Sequence, residues 1–288
     1  MKILITGING QVGHALMREL TDHELIGLTR QDCDLTNSDQ IKQVIDQHQP
    51  DLIINPAAYT KVDQAEDEPE LAFQINRDAP KVMAEKAREY NIPFIHFSTD
   101  YVFDGSGQKP WGETDATGPL NAYGRSKLAG EQGIAKQGAS HVIFRTSWVY
   151  GTEGGNFAKT MLRLAQEREK MTVINDQFGA PTGAALLADV TALTLQAQQP
   201  LSGIYHLAAA GVTTWFDYAN HVLAKAKQLK PHLKLAVKEV LPVPTSEFPT
   251  PAQRPLNSRL HCGRLEQALQ LQLPPWQTGV DQLLAKIL

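Results

Sequence analysis

A tyrosine and a lysine four residues apart offer the clearest chemistry in this sequence. Tyr123 and Lys127 lie in the segment AYGRSKLAGE, whose composition predicts a helix. At ~1.5 Å rise per residue the two side chains share one face, roughly 6 Å apart along the axis. A positive charge beside a phenol favours the phenolate and lowers a pKa that starts near ~10. We therefore expect Tyr123 to be the general acid of a carbonyl reductase, with Lys127 lowering its pKa, although the same spacing also occurs on solvated helices.

A glycine-rich turn follows the first predicted strand, residues 2–6. The turn has Gly7, Gly10 and Gly13 in the order Gly-x-x-Gly-x-x-Gly, and residues 15–20 continue as a helix. Glycines let the backbone come close to a phosphate, and the N–H groups of the first helical turn face the anion. The turn therefore predicts a cradle for a pyrophosphate, with a tight turn that binds nothing as the alternative.

The end of the second predicted strand, residues 24–29, bears on the choice of cofactor. Arg30 follows this strand, and an arginine there accommodates the 2′-phosphate of NADPH. Asp34 is close enough in sequence to bind a ribose hydroxyl instead. The sequence therefore favours NADPH and leaves NADH open.

The fourth predicted strand, residues 93–99, ends in polar side chains. In a doubly wound sheet, ligands bind beyond the carboxyl ends of the strands, where Thr99, Asp100 and Tyr101 fall. The Thr99 hydroxyl could donate to the same carbonyl oxygen that Tyr123 protonates, although a Ser-Thr-Asp sequence also forms ordinary turns. We interpret His96, which alternates with apolar residues, as a core histidine and not as a metal ligand.

Polar and aromatic residues later in the chain predict the substrate side of the site. Trp148 lies near the end of a strand predicted over residues 142–150 and could pack on a sugar. The loop 176–183 contains Gln177 and Phe178 and suits a nucleotide base and phosphates. Arg254 stands in a proline-rich stretch, and its guanidinium fork suits a diphosphate. A core tryptophan and a solvated surface arginine are the alternatives.

The elements that would position these residues alternate between strands and helices. This order predicts an α/β fold with a doubly wound parallel sheet of the Rossmann type. We expect residues 1–148 to form a dinucleotide-binding domain, to which segments near 169–190 return. Residues 149–288 would form a smaller C-terminal substrate-binding domain. Thr214 and Asp217 predict a capping box for a helix that runs to about residue 229.

The composition is that of an ordinary globular protein. The 288 residues are 42% hydrophobic and 20% charged, with a formal net charge of −4, so no basic surface for nucleic acid or an anionic membrane is predicted. The sequence shows no signal peptide and no membrane-spanning segment, and its two cysteines are far apart. We expect a cytoplasmic protein with free thiols that acts on a small-molecule substrate.

The combined motifs resemble the extended short-chain dehydrogenase/reductase family. The turn at residues 6–13, Thr99 and the Tyr123/Lys127 pair carry this resemblance. Longer stretches resemble the branch of the family that reduces dTDP-4-dehydro-L-rhamnose to dTDP-L-rhamnose: STDYVFDG, PLNAYG, RTSWVY and NDQFGAPT. This resemblance implies an NADPH- or NADH-dependent reduction of a 4-keto sugar for cell-surface polysaccharide.

The resemblance also implies roles for individual residues. Thr99 would bind the C4 oxygen, Lys127 would hold the nicotinamide ribose, and Asp100 and Trp148 would contact the sugar. The remaining cofactor contacts implied are Gly10, Gln11 and Val12 at the pyrophosphate, Asp34 and Leu35 at the adenosine, and Ala58, Tyr59 and Thr60 at the middle of the cofactor.

Oligomeric state and alternative activities remain open at this point. Some members of the family dimerise around a magnesium ion held by glutamates, but this chain has Ala15 and Ala185 at two of the aligned positions. We therefore expect no metal and a monomer or weak homodimer. A nucleotide-sugar 4-epimerase or 4,6-dehydratase shares the same core. A non-catalytic protein that resembles the regulatory subunit of methionine adenosyltransferase is the alternative outside enzymes.

Overall fold

Twelve strands and eleven helices make up the computed structural model, which describes residues 1–288. The strands are β1 Lys2–Thr6, β2 Glu24–Leu28, β3 Leu52–Asn55, β4 Phe94–Thr99, β5 His141–Thr146, β6 Val149–Tyr150, β7 Lys170–Ile174, β8 Phe178–Gly179, β9 Thr182–Gly183, β10 Gly203–His206, β11 Thr213–Thr214 and β12 Glu239–Val243. The helices are α1 Gln11–Glu19, α2 Ser38–His48, α3 Gln64–Asp67, α4 Pro69–Phe73, α5 Ala79–Glu89, α6 Ala122–Gln137, α7 Phe157–Glu167, α8 Ala184–Gln196, α9 Trp215–Leu229, α10 Gly263–Leu269 and α11 Trp276–Ile287. No helix is both long and apolar enough to cross a membrane.

Six parallel strands form the central sheet in the order β10-β5-β4-β3-β1-β2. The chain builds outward from β1 to β2 and then returns to β3 on the other side of β1. This reversal opens a crevice beyond the carboxyl ends of β1 and β3, where doubly wound sheets bind their ligands. The predicted fold class is confirmed.

Alternate residues of the central strands supply two separate cores. Ile3 and Ile5 of β1 pack with Leu187 of α8 on one face, in a cluster that also includes α1. Leu4 packs on the opposite face with Ile41 of α2, in a cluster that also includes α5. Because side chains of a strand alternate between the faces of a sheet, a strand covered on both sides must be apolar at nearly every position.

The later part of the chain forms a third core beside the sheet. Helices α7, α9 and α11 pack around Tyr218, Val222, Trp276 and Val280. Strand β7 pairs with β12, and not with the central sheet. The segments that return to the sheet are β10, which pairs with β5, and α8, which packs on α1 and begins within the expected 169–190. The division of the chain near residue 149 stays a prediction.

Local differences from the predicted elements have identifiable causes. The strand expected over residues 142–150 is interrupted because Trp148 adopts a φ of +50°, a left-handed conformation that turns the chain between β5 and β6. At α9 the N-cap half of the predicted capping box is present: Thr214 Oγ1 accepts a hydrogen bond from the Asp217 N–H at 3.0 Å, and the Thr214 hydroxyl donates to the Asp217 carboxylate at 2.8 Å.

Candidate active site

Helix α6 brings the predicted proton donor to the end of β4. Its first turn is capped by Asn121, whose side-chain oxygen accepts a hydrogen bond from the Gly124 N–H at 2.8 Å. A Cβ atom at Gly124 would lie 2.3 Å from the Tyr101 carbonyl oxygen, so only a glycine permits this close approach. The helix therefore starts directly against the turn that follows β4, and Tyr123 stands at the contact.

Tyr123 and Thr99 are neighbours in the structure, as the sequence predicts. The Thr99 hydroxyl lies near the Tyr123 phenol, whose pKa it lowers, and donates to Asp100 Oδ1 at 3.0 Å. It also accepts a hydrogen bond from the Tyr101 N–H at 3.2 Å. The rings of Tyr101 and Tyr123 meet edge to face with centroids 5.6 Å apart. Two hydroxyl groups therefore converge where one carbonyl oxygen could contact both.

Burial sets the protonation states of this cluster. It raises the pKa of Tyr123 to about 12, although the hydrogen bond with Thr99 lowers it. Burial likewise raises the pKa of Asp100 to about 6, although the nearby hydroxyls of Ser258 and Thr99 lower it. At neutral pH Tyr123 therefore carries its proton, as a general acid requires.

Lys127 does not lower the pKa of Tyr123 as expected from the sequence. Its Nζ donates to the carbonyl oxygen of Phe97 at 2.6 Å and lies 3.1 Å from His96 Nε2. Burial lowers the pKa of Lys127 itself to about 8, opposed by the negative charge of Glu131. The predicted pair does lie on one face of the helix, but the ammonium is held by β4. Burial therefore has the largest influence on the pKa of the Tyr123 phenol.

The glycine turn has the shape of a phosphate cradle. Gly7 has a φ of +61°, and the Gly10 N–H donates to its carbonyl oxygen at 2.9 Å. A Cβ atom at Gly13 would lie 2.3 Å from that same oxygen, so the turn closes only with glycine there. The N-terminus of α1 begins at the next residue after Gly10, which leaves its N–H groups directed at the crevice. The turn therefore fits the pyrophosphate of a dinucleotide.

A cavity of about 460 Å³ continues from this cradle along the carboxyl ends of β1, β2 and β3. Its lining includes seven of the predicted cofactor residues: Gly7, Arg30, Asp34, Leu35, Ala58, Tyr59 and Thr60. Arg30 is exposed at this cavity, whereas the Asp34 carboxylate accepts hydrogen bonds from the Thr36 N–H and hydroxyl. The guanidinium is therefore the freer of the two groups that the sequence proposes for the ribose end.

Two of the predicted cofactor residues turn their side chains elsewhere. Val12 packs against the core cluster of α1 and α8. Gln11 lines a second cavity of about 500 Å³, between α1, α8 and α11. Only the backbone N–H groups of these two residues remain to contact a pyrophosphate.

Asn76 holds the cofactor loop in place and was not assigned a role from the sequence. Its side-chain oxygen accepts from the Tyr59 N–H at 2.8 Å, and its nitrogen donates to the Tyr59 carbonyl and to Ser126 Oγ at 3.0 and 2.9 Å. These bonds fix the loop after β3 to helix α6. A buried asparagine within an otherwise apolar helix face is the signal that could have indicated it.

The predicted sugar-binding tryptophan belongs to an aromatic cluster. The ring of Trp148 stacks on Trp215 with centroids 3.7 Å apart, and a Cβ atom at Gly179 would lie 2.7 Å from it. Gln177 Oε1 accepts a hydrogen bond from Trp215 Nε1 at 3.0 Å. Phe178 lies under the guanidinium of Arg259 at 4.4 Å. Trp215 was missed from the sequence because it lies 67 positions from Trp148 in the chain.

Arg254 is held by a carboxylate that the sequence analysis did not identify. Its guanidinium forms two hydrogen bonds to Asp63, at 2.9 and 2.7 Å, and lies near the side chain of Tyr101, which raises the pKa of the arginine. The arginine therefore lies beside the ring that contacts Tyr123. This places the proline-rich segment against the proton-donor cluster.

The second cavity also contains the two alanines that align with magnesium-binding glutamates of some family members. Ala15 of α1 and Ala185 of α8 both line it. The structure has no group of three His, Cys, Asp or Glu side chains that could hold a metal ion. That the protein works without a metal stays a prediction.

Comparisons with known proteins agree with this geometry. The family model described as "RmlD substrate binding domain" matches residues 1–288. The dTDP-4-dehydrorhamnose reductase of Escherichia coli K12 is 49% identical over 295 aligned positions, which cover 100% of this chain and 98% of that protein. The enzyme of the same name from Burkholderia thailandensis is 42% identical, with 97% of each chain covered.

Solved structures show the same relationship. The crystal structure of dTDP-4-dehydrorhamnose reductase from Bacillus anthracis in complex with NADP is 37% identical, covers 99% of both chains and superposes with a TM-score of 0.92. The UDP-glucose 4-epimerase of Thermus thermophilus in complex with NAD shares the fold alone, at 20% identity, 99% and 98% coverage and a TM-score of 0.82. The chain therefore belongs to the RmlD family of extended short-chain dehydrogenase/reductases.

Proposed function

We propose that this protein reduces the 4-keto group of dTDP-4-dehydro-L-rhamnose to give dTDP-L-rhamnose, with NADPH as the cofactor. The product is the activated sugar for cell-surface polysaccharide such as lipopolysaccharide O antigen. The relatives named dTDP-4-dehydrorhamnose reductase, matched over the full length of the chain, support the choice of substrate. The NADP of the Bacillus anthracis relative supports the choice of cofactor.

One observation supports this function above the others. The Thr99 hydroxyl and the Tyr123 phenol lie together at the carboxyl end of β4, beside the crevice that holds the glycine cradle. A carbonyl oxygen within reach of both groups could accept a proton from the phenol.

The side chains of the site have distinct tasks in this reaction. NADPH, when bound, supplies the hydride for C4 of the sugar. Tyr123 donates the proton to the C4 oxygen, and its high pKa keeps it protonated until that oxygen becomes more basic. Thr99, whose hydroxyl donates to Asp100 in the structure, would turn its proton toward the same oxygen. Lys127, whose ammonium is held by β4, would bind the nicotinamide ribose.

Cofactor binding follows from the cradle and the cavity next to it. The backbone N–H groups of Gln11 and Val12 would bind the pyrophosphate, with Gly10 in the turn before them. Ala58, Tyr59 and Thr60 would line the middle of the cofactor, and Asp34 and Leu35 the adenosine. Arg30 would pair with the 2′-phosphate, which favours NADPH over NADH.

The sugar nucleotide would lie on the C-terminal side of the crevice. Asp100 and Tyr101 follow Thr99 directly and would contact the sugar, and Trp148 would present the exposed part of its ring to it. Gln177 and Phe178 would lie near the nucleotide base. Arg254 would bind the diphosphate from its place beside Tyr101, with Asp63 fixing its guanidinium.

Initial rates with a panel of keto sugars test this function. We expect NADPH oxidation to depend on dTDP-4-dehydro-L-rhamnose, to be slower with NADH, and to be much slower with UDP-linked keto sugars. The reaction without sugar is the control. Turnover of a UDP sugar without net oxidation, by protein purified with nucleotide bound, would instead indicate an epimerase. Absence of turnover with every sugar would favour a non-catalytic role.

The cellular location, oligomeric state and binding partners of the enzyme are part of the same proposal. We infer a cytoplasmic protein that is monomeric or a weak homodimer and binds neither nucleic acid nor membranes. The formal net charge of −4 and the lack of a spanning helix support this.

A further inference from the structure

Four buried polar side chains form a chain of contacts that begins on the first strand of the sheet and ends at Lys127. Thr6 Oγ1 donates to Asn55 Oδ1 at 2.6 Å, and the Asn55 amide lies 3.1 Å from His96 Nδ1. His96 Nε2 in turn lies 3.1 Å from Lys127 Nζ. None of the four residues is more than 2% exposed. The chain of contacts crosses β1, β3 and β4 and ends on α6.

His96 is electrically neutral in this position. Burial lowers the pKa of its imidazole well below the ordinary value, and the charge of Lys127 lowers it further. A neutral imidazole has one nitrogen that donates and one that accepts. The hydrogen bond at one ring nitrogen therefore decides which role is left for the other.

The charge of Lys127 determines the direction of the whole chain of hydrogen bonds. An ammonium can only donate, so a charged Lys127 needs an acceptor at His96 Nε2. The imidazole proton must then be on Nδ1 and needs an acceptor at Asn55, whereas the orientation above places the Asn55 amide nitrogen there and its oxygen at Thr6. A half-turn of the Asn55 amide exchanges the two groups, so that its oxygen accepts from Nδ1 and its nitrogen donates to Thr6 Oγ1. A neutral lysine would require the opposite tautomer, with the proton on Nε2.

We propose that His96 is a positioning residue: its Nε2 accepts a hydrogen bond from the Lys127 ammonium and fixes that group beside the site. The Phe97 carbonyl oxygen, 2.6 Å from Nζ, is the second acceptor. Because an ammonium has three hydrogens, one remains for the nicotinamide ribose or the reacting phenol. Both fixed acceptors belong to consecutive residues of β4, so the lysine is set by the rigid centre of the sheet.

This inference rests on the proposed reductase function, in which Lys127 has a catalytic role. Displacing a catalytic group by about 1 Å can reduce turnover by up to ~100-fold even when the mutated residue does not touch the substrate. Leucine at position 96 would fill the space but offer no acceptor. Glutamine could still present an oxygen to Lys127.

Nuclear magnetic resonance of protein labelled with nitrogen-15 in its histidines tests the proposal without any turnover. We expect the His96 resonances at neutral pH to show a neutral ring with its proton on Nδ1. The variant His96→Gln identifies the resonances. A ring with its proton on Nε2, or an imidazolium, would overturn the proposal, because neither form can accept from Lys127.

A double-mutant cycle tests whether His96 acts through Lys127. We expect His96→Leu to lower kcat by roughly 10- to 100-fold and to weaken NADPH binding, and His96→Gln to restore most of both. In a Lys127→Met background, His96→Leu should change kcat and the Kd for NADPH by less than about twofold, because the shared contact is already lost. Equal losses in both backgrounds, or no restoration by glutamine, would contradict the proposal.

The two proposals can fail separately. If no keto sugar is reduced but the tautomer and the cycle in NADPH binding are as expected, the proposed substrate is wrong and the role of His96 stands. If the sugar is reduced but the effects of the two substitutions are additive, the proposed function stands and the proposed role of His96 is wrong. Thermal unfolding of each variant shows whether a loss reflects unfolding, and the tautomer of the unmutated protein is independent of any variant.

Discussion

Two buried lysines of this molecule have opposite electrostatic surroundings. Lys86 is nearly buried, and although burial alone would lower its pKa, hydrogen bonds to Asp46 and Glu89 raise it. Lys127 is buried more completely and has no carboxylate in contact, and its pKa falls to about 8. The charge of Lys86 is balanced by two carboxylates, whereas the ammonium of Lys127 has no carboxylate in contact with it.

The buried acids divide in the same way. Glu131 accepts two hydrogen bonds from Arg145 Nε and one from its Nη2, and another from the Ser98 hydroxyl. Asp100 directly follows β4; its Oδ1 accepts a hydrogen bond from Thr99, whereas its Oδ2 is buried without a hydrogen-bond partner. The paired groups support the sheet under the site. The unpaired ones, Asp100 and Lys127, adjoin the candidate active site, and both have perturbed pKa values, as groups at functional sites often do.

The largest effect expected on folding comes from breaking the paired group. Arg145→Met would leave Glu131 buried and uncompensated, so we expect the free energy of unfolding to fall by about 3–5 kcal/mol. Chemical denaturation at neutral pH measures it.

The matched control is Arg163→Met on the surface of α7, whose partner Glu167 is exposed. This variant should change the free energy of unfolding by less than about 1 kcal/mol. Similar losses in the two variants would show that burial does not distinguish the paired charges.

The next effect concerns the reaction and not the fold. Tyr123→Phe removes the proton donor but keeps the ring, so we expect kcat to fall by about 100-fold or more, which corresponds to ~2.7 kcal/mol. The Kd for NADPH and the free energy of unfolding should change little. Steady-state rates with the dTDP keto sugar measure the loss.

Tyr90→Phe is the control for the tyrosine substitution. It removes a hydroxyl that donates to Asp46 on the surface, far in the fold from Thr99. Its kcat should equal that of the unmodified protein. Near-normal turnover by Tyr123→Phe would remove this tyrosine from the mechanism.

Sequence patterns predicted the parts of the molecule that local physics determines. The buried strands β1, β3 and β4, the capped helix α9 and the glycine turn follow from side-chain type and spacing over a few residues. The approach of Tyr123 to Thr99 could also be predicted. Tyr123 lies at the start of a helix and Thr99 at the end of a strand, and both ends meet at the same edge of the sheet.

Features that depend on distant contacts could not be predicted. Arg254 and Asp63 are 191 positions apart, and nothing near either residue indicates the other. The left-handed Trp148 is held by Trp215 and by the space over Gly179. The direction of the Tyr123 pKa shift was wrong because the sequence shows the nearby lysine but not the depth of burial.

The smallest effect expected is a gain in stability at the unpaired acid. Asp100→Asn keeps the shape and the acceptor for Thr99 but removes the buried carboxylate, so we expect the free energy of unfolding at pH 7 to rise by about 1–3 kcal/mol. Its sugar reduction should be slower, since the residue adjoins Thr99. Denaturation at a series of pH values measures the stability.

The pH dependence gives the sign of this effect. The pKa of Asp100 is about 6 in the folded protein against an ordinary 3.8, so the folded state binds more protons between these values. Stability contributed by this group therefore decreases as pH rises from about 4 to about 6 and is constant above. The gain from Asp100→Asn should accordingly be small near pH 4 and complete above pH 6.

Asp46→Asn provides the control of opposite sign. Hydrogen bonds from Lys86 and Tyr90 lower the pKa of Asp46, so its charge stabilises the fold at neutral pH, and that contribution is lost as pH falls through the lowered pKa. This variant should be less stable than the unmodified protein at pH 7. If both variants shifted stability in the same direction at that pH, the contrast between paired and unpaired buried charges would not hold. Opposite shifts would show that the site retains a charge which the rest of the fold would be more stable without.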